Sequence, residues 1–170
     1  MRRIGVSKLV YILFYNSLER YRFIKPLPDG LYFHRRLGFD QNDIKVQFYY
    51  KHNGEIWLIM GKPDRVEFQN GTVVISELKT IRREKSRDIM GTIGYAQANI
   101  YAYGLAKNFT PVVRVYVFNV EKDDRPVLWY EGPSDTKYAE KIIKKALDRI
   151  LEEEEMKRKL ITNAPCGIRR

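Results

Sequence analysis

Only one cysteine, Cys166, and two histidines, His34 and His52, occur in 170 residues. A single thiol excludes a disulfide framework and any all-cysteine metal or iron–sulfur centre built by one chain, and it suits a reducing compartment. Long apolar runs are missing as well. The longest, Leu9–Tyr15, has seven residues, against the roughly 20 that span a bilayer. Basic residues precede that run, as in a secretory signal, but Asn16-Ser17-Leu18-Glu19-Arg20 follows in place of a small-residue cleavage site. The chain therefore reads as cytoplasmic, without a membrane partner. It has no G-x-x-x-x-G-K-[ST] phosphate loop. Internal repeats and low-complexity segments are also lacking.

What is present is basic charge. Lysine and arginine number 31 against 21 acids, a net charge of +10, which points to a polyanionic partner. The excess is local. Residues 1–36 carry eight basic and two acidic side chains, and residues 79–87 carry five and one; the remainder balances. With 44% hydrophobic residues and this length, one folded domain over residues 1–170 is expected.

Hydrophobic periodicity predicts a helix over residues 7–24, with Ser7 as its cap, and a turn-rich connector at 25–30. Strand-like runs follow at 44–50, 55–61, 65–69 and 72–79. Two of the turns between them carry Asn53-Gly54 and Asn70-Gly71, strong hairpin signals. A helix pattern covers 88–107, two further strands lie at 112–120 and 127–130, and an amphipathic helix occupies 137–159. This order predicts an α/β (α+β) fold, a mixed central sheet over residues 44–130 flanked by helices.

The chemistry concentrates in Gly61-Lys62-Pro63-Asp64 and Glu77-Leu78-Lys79. If Asn70 and Gly71 are the two loop residues, Asp64 falls directly opposite Glu77, with Cβ atoms about 4.5–5.5 Å apart. Val66, Phe68, Val73 and Ile75 share their face, so the carboxylates end an apolar stripe, and Lys79 projects from the same side. Two carboxylates at the edge of a buried face repel each other and are costly to desolvate. Mg²⁺ or Mn²⁺ removes that cost and can acidify a bound water and neutralise charge on a phosphodiester transition state. Lys79 is then placed to position the water or stabilise the phosphate. Arg82, Arg83, Lys85 and Arg87, just past the strand, would grip backbone phosphates, contacts that carry no sequence information.

Pro63-Asp64 and Glu77-Leu78-Lys79, thirteen residues from aspartate to glutamate, resemble the PD-(D/E)xK nuclease signature. Thr80 after the lysine, and Gln97-Ala98-Asn99-Ile100-Tyr101, resemble the D/E-x-K-T ending and Q-x-x-x-Y motif of the RecB-like branch. His34 resembles the additional metal-binding histidine of that branch and of CRISPR-adaptation exonucleases. The resemblance implies a restriction-endonuclease-like core. It makes His34, Asp64, Glu77 and the Leu78 carbonyl the ligands of the ion, and Gln97 and Tyr101 residues that contact DNA and brace the site. The adaptation exonucleases also carry four cysteines around an iron–sulfur cluster. Tyr15-Asn16 stands in the place of the first and only Cys166 represents the last group, so no cluster is expected.

The reading is therefore a metal-dependent exonuclease acting on single-stranded or duplex DNA ends, with any unwinding left to a separate helicase or another repair, recombination or replication protein. A structure-selective endonuclease and a catalytically inactive DNA-binding subunit of the same fold are the alternatives. An RNA-binding module, drawn only from charge and aromatic content, ranks last.

Overall fold

The computed structural model describes residues 1–19, 30–40 and 43–162. The expected helical residues 20–24, connector residues 25–29 and Cys166 lie outside the described residues.

The first element is a strand with no clear local signal, β1 (Arg2–Gly5), which turns at once into α1 (Val6–Glu19). A short helix, α2 (Gly30–Arg36), precedes β2 (Val46–His52), β3 (Glu55–Gly61), β4 (Arg65–Gln69) and β5 (Thr72–Ile81). A 3-10 turn at Glu84–Ser86 leads into α3 (Arg87–Leu105); β6 (Val112–Asn119), β7 (Val127–Pro133) and α4 (Thr136–Thr162) complete the described elements.

Both Asn-Gly pairs close two-residue hairpins. Asn53 and Gly54 have φ of 49° and 79°, and Asn70 and Gly71 have 49° and 76°, the left-handed pair that matches the twist of the flanking strands. His52 consequently pairs with Glu55, and Gln69 with Thr72.

The architecture is mixed α/β, but the strands form two sheets where one was expected. One has the order β1-β3-β2 and the other β4-β5-β6-β7, each mixing parallel and antiparallel pairs. The break falls at Lys62-Pro63. Pro63 has no N–H to give to a ladder, so the chain leaves β3 there and starts a new sheet at Arg65.

One core lies between the sheets and three helices. Trp57 and Ile59 of β3, Ile75 of β5, Val113 and Val117 of β6, Leu9 and Val10 of α1, Ile93 and Ile100 of α3, and Ile143 and Leu147 of α4 all meet there. A smaller cluster, Leu78, Phe118 and Phe39 with Phe33 and Leu37, sits where α2 and the residues after it cover the other face of the second sheet. That sheet is therefore packed on both sides. Phe68, expected on the apolar stripe, is instead 78% exposed: β4 is an edge strand, and its turn end projects beyond the packed layer.

Candidate active site

The β4–β5 hairpin has the register that its turn requires. Arg65 pairs with Ser76 and Val66 with Ile75, so Asp64, one residue before β4, comes opposite Glu77. The two are tied reciprocally. The Asp64 N–H donates to Glu77 Oε1 at 3.2 Å, and the Leu78 N–H donates to Asp64 Oδ2 at 2.8 Å. Lys79 Nζ lies 3.5 Å from Glu77 Oε2. From the opposite side of the sheet, α2 brings His34 Nδ1 to 3.2 Å from Asp64 Oδ1. Four residues from three separate stretches of chain thus converge on one point.

Their electrostatics differ sharply. Glu77 is only 3% exposed, and burial, reinforced by the Asp64 charge, pushes its carboxyl up to about 8 despite Lys79. Burial also works to raise Asp64, but the His34 hydrogen bond, the Lys79 charge and the Leu78 N–H outweigh it and hold that carboxyl below the usual range. Lys79 is opposed by burial, yet the charges of Glu77 and Asp64 raise it, so it stays an ammonium. The cluster holds one firmly ionised carboxylate, one that resists ionisation and a fixed cation.

Tyr101 of α3 joins this group. Burial, then the charges of Glu77 and Asp64, raise its phenol, while a hydrogen bond with Ser7 works the other way; the ring stays neutral and able to donate. Gln97, one turn earlier, is 2% exposed, and its Oε1 has no hydrogen-bond partner among the described residues, an uncommon cost for a buried amide. Two glycines make room. A Cβ on Gly94 would lie 2.8 Å from a Val115 methyl and 3.3 Å from Lys79 Cγ, and one on Gly61 would lie 2.8 Å from the Tyr101 oxygen.

The basic segment divides. Arg82, Arg83 and Lys85 are exposed just past β5, with Arg82 3.8 Å from Glu121. Arg87 instead is engaged internally. It binds Glu84, reaches Asp123 at 2.8 Å and donates to the Val117 carbonyl at 3.3 Å. It anchors the start of α3, a role that charge counting along residues 79–87 could not reveal because Asp123 lies 36 residues on. His52, in the first hairpin, contacts Asp148 at 2.6 Å and pins that hairpin to α4.

Sequence reasoning missed three positions. Ser7, expected as the cap of α1, lies inside a helix that begins at Val6, and its side chain bonds Tyr101. Tyr11, hidden in the apolar run, is an electrostatic neighbour of Lys79. Gly94 carried no signal except an interruption of the helix pattern, which can mark close packing.

A buried, mutually repelling carboxylate pair beside a cation fits a hard divalent cation, whose charge would remove the cost carried by Glu77. Among the described residues no group of three or more His, Cys, Asp and Glu side chains forms a ready-made cage. The pair would therefore share an ion with water and substrate oxygens, the usual manner of holding Mg²⁺.

A hairpin that presents Asp and Glu-x-Lys from a mixed sheet covered by helices defines a restriction-endonuclease-like nuclease. The profile of the PD-(D/E)XK nuclease superfamily matches residues 17–167, and the chain belongs to that superfamily, whose members generally use divalent metals such as Mg²⁺. Among solved structures, the crystal structure of SSO0001 is similar in fold, with a TM-score of 0.58 and 20% sequence identity over 99% of this chain and 88% of that one. No curated protein matches the chain. No helix among the described residues is long and apolar enough to cross a membrane.

Proposed function

We propose that the chain is a single-domain, Mg²⁺- or Mn²⁺-dependent deoxyribonuclease of the RecB-like branch that digests DNA from its ends with little sequence preference. The observation that carries this reading is the convergence of His34, Asp64, Glu77 and Lys79 at the start of one hairpin. Asp64, Glu77 and the Leu78 carbonyl, with His34 beside them, would hold the ion. Once bound, it supplies an acidified water and neutralises charge building on the phosphate.

The chain's own residues do the rest. Lys79, held as an ammonium, donates to the phosphate oxygens as charge develops there. His34 fixes the Asp64 carboxylate in one orientation, as a ligand's supporting hydrogen bond does. Tyr101, a neutral phenol, donates from the helix side, and Gln97 offers a buried acceptor one turn away. Arg82, Arg83 and Lys85 contact backbone phosphates, while Arg87 keeps their segment in place. Such contacts make binding strongly salt-dependent and nearly blind to sequence.

The test is cleavage of labelled linear and circular DNA, single- and double-stranded, with Mg²⁺, Mn²⁺ or EDTA. Linear DNA should be degraded only with metal, and Glu77→Ala and Lys79→Ala should each lose about a hundredfold or more of the rate while still binding DNA. Cleavage in EDTA, or undiminished cleavage by Glu77→Ala, would contradict the mechanism. Rapid opening of circles would assign an endonuclease instead.

A further inference from the structure

We propose that the outer face of the β1-β3-β2 sheet is a path along which single-stranded DNA reaches the active site. Alternation along β3 sends Trp57 and Ile59 into the core and leaves Ile56 and Leu58 on the other side, with Leu58 at the centre only 8% exposed. The register then builds that outer face. Lys51 pairs with Ile56, Tyr49 with Leu58, and Arg3 with Leu58 from the other edge. Tyr49 is 69% exposed and Ile56 51% exposed, and Arg3 and Lys51 are exposed as well.

The face is chemically one-sided. The three strands contain a single carboxylate, Glu55. It is held 3.1 Å from Arg2, whose guanidinium lies over the core-side ring of Trp57. Nothing acidic in these strands therefore opposes a polyanion on the outer face. An open aromatic ring flanked by an arginine and a lysine is the combination that holds nucleic-acid strands, the ring stacking on a base while the cations meet phosphates. It suits a single strand rather than a duplex, because paired bases keep their faces inside the stack and leave none for Tyr49.

The face also has a direction. Exposed Lys62 follows Gly61 at the end of β3, and Asp64 comes two residues later, so the end of the row and the carboxylates are adjacent along the chain. Gly61, between the row and the carboxylates, backs closely onto the Tyr101 phenol. A strand lying along β3 is therefore delivered to the rim of the site. The choice of DNA rests on the nuclease reading above; the charge and stacking arguments do not.

The test is fluorescence anisotropy with labelled oligo(dT) on the full chain in EDTA, where no cleavage occurs. Tyr49→Ala should weaken binding about tenfold, Tyr49→Phe should restore it, and an abasic oligonucleotide of equal length should not distinguish the three proteins. Replacing Arg3 and Lys51 together by alanine should lower the salt slope by about 1.4. Unchanged oligo(dT) affinity in Tyr49→Ala would overturn the path, as would equal losses for blunt duplex. Tighter binding of an RNA strand, or a dimer in sedimentation that Tyr49→Ala dissociates, would give the face to another occupant and overturn it too. The two readings fail separately. Metal-dependent cleavage with Tyr49-independent binding sinks only the path, whereas Tyr49-dependent binding by a protein that never cleaves DNA sinks only the nuclease.

Discussion

On the core side of the β1-β3-β2 sheet the buried residues are Ile4, Val46, Tyr50, Trp57 and Ile59, whereas the β4–β7 sheet and the helix against it bury Ser76, Glu77, Gln97, Asn99 and Asn119 as well as their valines and isoleucines. Both regions fold around apolar residues, yet only the second takes acid and amide groups out of water, which is costly without partners. Two of these residues repay it structurally. Asn99 Oδ1 accepts from the Asp135 N–H at 2.6 Å and so braces the start of α4, and Asn119 bonds Glu84 and the Glu121 backbone. Glu77 and Gln97 do not break even in this way. The difference teaches that the first sheet keeps acids and amides out of its core, its one orphaned polar atom among the described residues being the Trp57 indole nitrogen, whereas the second buries them around the candidate site.

Three measurements sharpen or break that contrast. Trp57→Ala should have the largest effect on stability, a loss of about 3–5 kcal/mol in chemical denaturation. Glu77→Gln should be neutral or stabilising by the same measure while eliminating cleavage. Comparable destabilisation by both would erase the distinction. Gly94→Ala comes next. The new methyl must displace Val115 or the Lys79 stem, and overpacking of this kind costs about 1–3 kcal/mol. Cleavage should fall further than that loss of folded protein explains, which activity per folded molecule would reveal.

The smallest effect concerns pH. The Glu77 carboxyl is raised in the fold from 4.5 to about 8, so the folded chain binds the proton more tightly than the unfolded one. In EDTA this group contributes its full stability below pH 4.5 and loses it as pH rises through about 8. Glu77→Gln should remove that part of the slope in melting temperature against pH. Divalent cations compete for the same carboxylate, so their affinity should climb across that range. A wild-type profile that matches Glu77→Gln between pH 5 and 9 would refute the buried-acid description.

How much of this was legible depended on how local the determinant was. The Asp64–Glu77 juxtaposition could be read because a two-residue Asn-Gly turn fixes the register of every pair in its hairpin. The division into two sheets could not, since sheet membership depends on which distant strands pair. β1 escaped notice for the same reason. Arg2-Arg3-Ile4-Gly5 shows a single apolar residue, and its parallel partner starts 55 residues later at Trp57. Phe68 was misplaced because alternation tells which face a residue takes but not where the covering helix stops. Gly94 matters only through a neighbour on another strand, and Arg87 only through an aspartate far along the chain.

The bracing of Arg87 bears on how the protein lets go of what it holds. Its guanidinium and Asp123 are only 18% and 16% exposed, so dissolved ions weaken that tie far less than they would weaken the phosphate contacts proposed for exposed Arg82, Arg83 and Lys85. Rising ionic strength should thus detach a bound polyanion while the corner that presented it keeps its shape, and lowering the salt again should restore the grip at once, with no refolding in between.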